Sequence, residues 1–367
     1  MTTFNFKQRV TFIIATIVLI VSFCMISAWV QFLHRPLVVR DEGFRYEVRE
    51  GTSIHAVVHD LYLLDIIKHP YFFNLLIWLR GDRHNLKAGE YLFPKGITAS
   101  RLLTQITSGS GMVYHEFTLI AGWDFGRVRR MLAADPNLKH TSEKMSDAEI
   151  MQSLDHPELK PEGWFFPDTY YFVRGTSDLV VLKQAFTRMQ KILMNAWDDR
   201  ASDLPYYTPQ DALTVASLVE KETSIPHERP IIAGVIVNRL RKGMLLQIDP
   251  TVIYAAGSNF HGTIHRSDLL RKSPYNTYVT KGLPPTPIAM PGGTSILAAM
   301  HPLHHDYLYF VAENYDMNGP HRFSATLEEH YSAIARAKHG KSTLEFFNND
   351  LIQHYFWRTL LLPGIFQ

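Results

Sequence analysis

The residues best suited to chemistry lie in the run Thr208-Pro-Gln-Asp-Ala-Leu-Thr-Val-Ala-Ser-Leu-Val-Glu-Lys-Glu-Thr223. Thr208 is a good N-cap, Pro209 suits the first helical position and Asp211 falls near the positive helix end, so the spacing predicts a helix. Val215, Leu218 and Val219 make its apolar stripe. Glu222 follows these by seven, four and three residues and shares their side, whereas Glu220 points roughly the opposite way. A carboxyl on an apolar face loses hydration of its charged form, which favours the protonated acid. A protonated carboxyl near neutral pH is what cleavage of a glycosidic bond by general acid catalysis requires. Periodicity alone leaves a plainer reading open, in which Glu222 is a solvated helix end or pairs with Lys221 or a distant arginine. Glu220 reads as a surface residue or as a support behind the site.

Other chemistries have weaker footing. The only cysteine, Cys24, lies in the apolar N-terminal stretch. Everything after it is thiol-free, which excludes an intramolecular disulfide, cysteine catalysis and a cysteine-based metal site. The 18 histidines are scattered. Of these, His301, His304 and His305 lack the spacing of a helical zinc pair, and Pro302 opposes a regular helix, so no metal is expected. A formal net charge of +2 on 367 residues gives no long-range basic field, so nucleic acid is not an expected partner.

Several elements must position the acid helix. Val10 to Leu33 is uncharged and long enough to cross a roughly 30 Å hydrocarbon core. It is too long for the apolar part of a signal peptide and lacks a small-x-small cleavage site, so it reads as an uncleaved anchor after a short cytoplasmic segment, residues 1–9. Arginines and lysines on both sides leave its orientation unsettled by charge. From 44 to 110, a strand at Phe44–Val48, a helix capped by Thr52 or Ser53, an apolar helix from Tyr71 to Leu79, a returning strand to Phe93 and a helix from Thr98 to Thr107 form a small α/β module. This order resembles a LysM-type fold, a module that often binds N-acetylated glycans; a generic spacer is the alternative. Residues 111–161 read as a connecting region with a strand at 115–119, a helix at 124–134 and a polar loop or joint at 136–156. A larger mixed α/β domain follows over 162–337. The aromatic and apolar tail, 340–367, is too short and interrupted to span a bilayer. The whole is an α+β chain with an N-terminal transmembrane helix.

The block Ala216-Ser-Leu-Val-Glu-Lys-Glu-Thr223 resembles the signature of the YceG-like endolytic murein transglycosylases. Further matching blocks follow the family's order: Glu162 to Tyr170 before the helix, then Val237 to Leu240, Leu246 to Tyr254, Ser273 to Tyr278, Gly282 to Pro285, Pro291-Gly292, Tyr307 to Ala312 and His321 to Ser324. The resemblance covers about 44–337 together with the anchor. It implies a single-pass inner-membrane protein with a periplasmic catalytic part. The implied reaction is endolytic cleavage between N-acetylmuramic acid and N-acetylglucosamine of nascent peptidoglycan strands, leaving 1,6-anhydro ends, terminating strand elongation and needing no organic cofactor. It also implies an association with peptidoglycan synthases. The family's catalytic glutamate corresponds to Glu222, the residue that the apolar face also selects.

Polar residues of the other blocks are candidates to hold the sugars. Gln247 and Asp249 share a face if their stretch is extended. Asn276 beside Tyr275 and Tyr278 offers an amide and a stacking platform, although Asn276 could equally make a turn and Asp249-Pro250 could cap a helix. Glu228 and Arg229 could pair to shape the cleft, and Asn238-Arg239 reads as a supporting unit. Ile248, Thr286 and Met290 depart from the family's usual residues and bear on cleft shape rather than on the acid. A membrane-anchored peptidoglycan-binding scaffold without turnover is the rival function.

Overall fold

The computed structural model describes residues 6–39, 42–313 and 319–339. It divides into two compact units, one running to Glu116 and including Tyr171–Thr176, the other made of Phe117–Tyr170 and the chain from Ser177 onward. The tail at 340–367 lies outside the described residues.

The first unit begins with α1 (Phe6–His34), whose 29 residues carry an 18-residue window of mean hydropathy 2.7 with none of it buried. By length and composition this helix can cross a membrane. Its last turn changes character: Phe32 is buried, and Trp29 and Leu33 pack on the unit's core. Next, β1 (Phe44–Val48) runs antiparallel to β2 (Gly89–Phe93), with Phe44 opposite Phe93 and Val48 opposite Gly89. Between them lie α2 (Ile54–Leu63) and α3 (Pro70–Arg80). The cap of α2 is Ser53, whose Oγ accepts from Ala56 N, and the stripe Ile54, Val57, Val58 and Leu61 is buried. Gly81 ends α3 in the left-handed conformation that glycine adopts without a steric cost. The last helix of the unit, α4 (Ala99–Ser108), is capped by Thr98 and stopped by Gly109. Its Leu102, Leu103 and Ile106 join Phe73, Tyr91 and Phe93 in one core.

A two-stranded sheet pairs β3 (Tyr114–Thr118) with β4 (Thr169–Val173). The second unit holds α5 (Phe125–Ala134), α6 (Asp147–Ser153), α7 (Asp178–Asp198), α8 (Pro209–Glu222), α9 (Arg229–Arg241), α10 (Asp249–Ala256), the short α11 (Arg266–Leu269) and α12 (Gly293–Met300). It closes with the antiparallel hairpin strands β5 (Tyr309–Ala312) and β6 (His321–Ser324), on which α13 (Leu327–His339) packs through Ala333 and Ile334 against Val311.

One expectation is corrected here. The stretch 136–156 is neither a loop throughout nor a joint: it contains α6, closed by a capping box between Ser146 and Glu149. It is tied down by Asp178, which accepts from Thr141 N, Ser142 N and the Ser142 hydroxyl, and by Arg129, which donates to Met145 O at 2.6 Å. The polar residues that hid this order in the sequence are the ones making these bonds. Leu138, Ile150, Met151 and Leu154 supply the apolar side.

Gly163 marks a close approach inside the second unit. Its φ is +84°, and a Cβ there would lie 2.5 Å from Pro287 Cβ and Cγ. Gly163→Ala combines left-handed strain with a clash against the rigid Pro287 ring, so it should destabilise the unit by about 3 kcal/mol. Thermal unfolding of the variant beside the parent chain measures this directly.

Candidate active site at the end of the acid helix

The local chemistry of α8 is as its sequence dictates. Thr208 Oγ1 accepts from Asp211 N at 3.1 Å, and Asp211 Oδ2 accepts from Thr208 N at 3.1 Å, a reciprocal cap at the start of the helix. From Ala212 to Val219 every residue is buried, with α7, α9, α10 and α12 packed around. This revises the argument from one apolar stripe. A helix enclosed on all sides has no solvent face, so periodicity cannot by itself separate Glu222 from Glu220.

The two acids are placed differently. The Glu220 carboxylate is built into the scaffold: Oε2 accepts from Gly292 N at 2.9 Å and from Ser295 Oγ at 2.7 Å, and Oε1 lies 3.4 Å from Arg229 Nη2. It therefore sits on the positive end of α12, where a negative charge is favoured, and Arg229 also bonds Thr294 of the same turn. Glu222 is the last residue of α8, half-buried, with its Oε2 shielded from solvent. Thr223 leaves the helix in an extended conformation. Lys221 Nζ donates to the Gly122 carbonyl at 3.2 Å, which fixes the segment before α5 against this helix end.

Glu228 does not pair with Arg229, as expected from their adjacency. Its carboxylate accepts from His321 N at 2.7 Å and Thr223 Oγ1 at 3.0 Å, and lies 2.7 Å from His321 Nδ1. Burial pushes its carboxyl up, but the hydrogen bonds from His321 and Thr223 outweigh this and hold it below the usual value. With both oxygens engaged and 2% exposure, Glu228 anchors the residue after Glu222 rather than facing a sugar.

Gln247 and Asp249 are not on one extended face. Gln247 has φ +52° and Asp249 opens α10, with Ile248 as the N-cap residue. A glutamine in the left-handed region is strained, and such strain gathers at ligand sites, so Gln247 keeps its place as a candidate. Arg239 holds it there: Nη1 lies 3.3 Å from Gln247 Oε1 and donates to Leu246 O at 2.8 Å, while Nε donates to Leu308 O at 2.6 Å. Asn238 Nδ2 donates to His305 O and Tyr307 O, so Asn238 and Arg239 together fasten α9 to the segment before β5.

Asn276 and Tyr278 are corrections. Asn276 is fully buried; its amide donates to Asp268 O, Leu269 O and Arg271 O, and its Oδ1 accepts from Tyr278 N. An amide spent in this way makes the turn and cannot also reach a sugar. Tyr278 is buried with its hydroxyl donating to Asp249 Oδ1, so it offers no stacking face. Tyr275 is half-buried, its ring 4.9 Å from that of Tyr254 and its hydroxyl 2.9 Å from Thr286 Oγ1. Thr286 and Met290 are absorbed into the scaffold, Met290 through backbone bonds to Gly122 and Trp123.

One acid was not singled out from the sequence. Glu162 is buried, accepts from Phe125 N at 3.1 Å and receives the Tyr254 hydroxyl at 3.0 Å. Burial raises its carboxyl from the ordinary 4.5 to about 7 against these hydrogen bonds, with the Asp124 charge adding to the rise. A lone glutamate before a glycine has no periodicity to mark it. The unfolded chain gives up this proton near 4.5 while the fold keeps it to about 7, so stability falls by about 3 kcal/mol as pH rises through that window and is unaffected below it. Glu162→Gln should flatten this part of the stability-against-pH curve, read by urea unfolding at steps of pH.

Among the described residues no group of three or more His, Cys, Asp or Glu is arranged to hold a metal. His305 is structural, with Nε2 2.9 Å from Ile231 O and Nδ1 accepting from Tyr307 N.

Comparison with known proteins adds to this geometry. The sequence profile of the YceG-like family matches residues 46–336. An endolytic murein transglycosylase of Bacillus subtilis (strain 168) is 31% identical over 302 residues, covering 78% of this chain and 82% of that protein. An endolytic murein transglycosylase of Streptococcus pneumoniae serotype 2 is 25% identical over 343 residues, covering 83% of this chain and 58% of its own length. The crystal structure of a yceG-like protein from Listeria monocytogenes superimposes with a TM-score of 0.51 at 28% identity, over 80% of this chain and 99% of that one.

Proposed function

Because this chain belongs to the YceG-like family, we propose that Glu222 is the single acid and base of a lytic transglycosylase acting on peptidoglycan. The enzyme cuts glycan strands internally. The bond broken joins C1 of N-acetylmuramic acid to the oxygen of the following N-acetylglucosamine. Glu222 gives its proton to that oxygen as the bond breaks, and an oxocarbenium-like or oxazolinium intermediate remains. The Glu222 carboxylate then takes the proton of the sugar's own C6 hydroxyl, whose oxygen bonds C1 to give the 1,6-anhydro end. The proton returns to Glu222 and no water is consumed. A hydrolase needs a second carboxylate to activate water or attack the sugar. Here the nucleophile is already in the substrate, at high effective concentration.

The observation that carries the reading is the contrast among the three acids around the end of α8. Glu220 and Glu228 are engaged with α12 and with His321, whereas Glu222 closes α8 half-buried, with its Oε2 shielded from solvent. Gln247 and Tyr275 are the remaining candidates for sugar contacts.

The test uses the full chain in detergent with uncrosslinked glycan strands and mass spectrometry of the new ends. Ends lighter than a reducing end by one water, with or without chelator, support the mechanism. Reducing ends would mean a hydrolase.

The finer reading of the first unit is a LysM-like module that contacts glycan. Its support is the β1-α2-α3-β2 order with antiparallel strands. Titration of the full chain with N-acetylglucosamine oligomers should perturb NMR signals within 44–110, and their silence would reduce the module to a spacer. The apolar α1 supports a single-pass anchor, and a peptidoglycan substrate requires the bulk of the chain to lie outside the cytoplasm.

A further inference from the structure

We propose that α3 lies in the lipid headgroup region beside α1 and docks the first unit on an anionic bilayer surface. This rests on α1 being a membrane anchor and goes beyond it, since an anchor alone does not set which surface of the unit meets the lipid.

The depth of α3 follows from α1. The apolar run starts at Val10, and about 20 residues at 1.5 Å each bring the helix across a roughly 30 Å core near Trp29. Tryptophan collects at that boundary. The Trp29 ring lies 6.0 Å from that of Phe72 on α3, and Phe32 lies 5.6 Å from Phe72 and 6.4 Å from Phe73. The start of α3 is therefore held at the depth of Trp29.

The opposite side of α3 is the unexpected part. Tyr71, Leu75, Trp78 and Leu79 are 87%, 42%, 59% and 57% exposed. Their spacing puts them on one stripe, and no charged residue occurs from Tyr71 to Leu79. Tyr62, Leu63 and Leu64 at the end of α2 are exposed as well. Exposed Lys68 precedes the stripe and exposed Arg83 follows it, while the Arg80 guanidinium between them is held by Asp82 and Thr104. An apolar aromatic stripe flanked by cations is the make-up of a helix lying in an interface, with rings among the acyl chains and basic groups reaching phosphate. The lipid surface is favoured over a glycan or a second copy of the chain because the stripe begins one residue from Phe72, where the lipid-facing surface of α1 meets this unit.

The test exploits the single thiol. In a Cys24→Ser background, Leu75→Cys or Tyr71→Cys, both at exposed positions, receives an environment-sensitive fluorophore. The labelled full chain goes into phosphatidylethanolamine and phosphatidylglycerol vesicles, with Val18→Cys in α1 as a reference. Spin-labelled lipids carrying the quencher near the headgroup should remove about half of the emission from positions 71 and 75, with a blue shift on reconstitution. Quenching at position 18 without quenching at 71 or 75 overturns the docking while the anchor stands. No quenching at any of the three removes the anchor and the docking with it. Shielding of 71 and 75 by glycan oligomers alone, with no lipid quenching, also overturns the proposal.

Discussion

Glu222→Gln should lower the rate of strand cleavage by about 10³-fold and leave the chain folded. Glutamine keeps the size of the side chain at the end of α8 and its polar contacts but can neither give nor take the proton. A two-carboxylate hydrolase that loses its acid can retain a slow route through the surviving base. In the proposed mechanism both proton transfers run through one group, so departure of the leaving oxygen and closure by the C6 hydroxyl fail together. Any residual product should still be anhydro, because the intramolecular nucleophile remains. Glu220→Gln is the discriminating companion. It weakens the charge on the Gly292 and Ser295 donors and the contact with Arg229, so its loss should appear chiefly as lower thermal stability. Equal loss of turnover with unchanged stability in Glu220→Gln would transfer the acid role to that residue. Rates by single-turnover mass spectrometry and melting of both variants decide between them.

The parts of this fold that were legible in the sequence are those set by local chemistry. Ser53 and Thr208 cap the helices that they announce, since the side-chain oxygen reaches a backbone N–H only three residues away. The helices α2 and α5 were readable because each of them buries one side. On α8 the same reasoning chose Glu222 on a premise that the packing does not support, because the helix is enclosed from every side. What remained hidden is long-range pairing. Nothing near Glu228 announces His321, 93 residues away, and nothing near Asn276 announces that three carbonyls will consume its amide. The strained backbone of Gln247 and the burial of Glu162 arise in the same way, from neighbours that only the tertiary fold supplies.

Glu228→Ala carries the second large effect, and it acts through position. The carboxylate receives His321 N, the His321 ring and the Thr223 hydroxyl, all in a buried setting. Thr223 directly follows Glu222, so this cluster fixes the backbone at the point where the acid leaves α8 and joins it to β6. Removing the carboxylate strands those donors without water, and the loss should be about 3–5 kcal/mol. Glu228→Gln retains one acceptor and the volume, so it should cost less. It also changes the response to acid. The folded carboxyl sits below its ordinary value, so its contribution is present above the unfolded value of 4.5 and is lost as pH falls through the folded one. The glutamine variant should therefore lose less stability than the parent over that acid limb. His321→Ala breaks the same cluster from the other side, and residues in contact couple by about 0.5–3 kcal/mol in a double-mutant cycle. A positioning role predicts that kcat falls in proportion to disorder at Thr223 while the ends formed remain anhydro. If Glu228→Gln lowered kcat as far as Glu222→Gln does with the fold intact, Glu228 would instead belong among the groups that touch the reacting sugar.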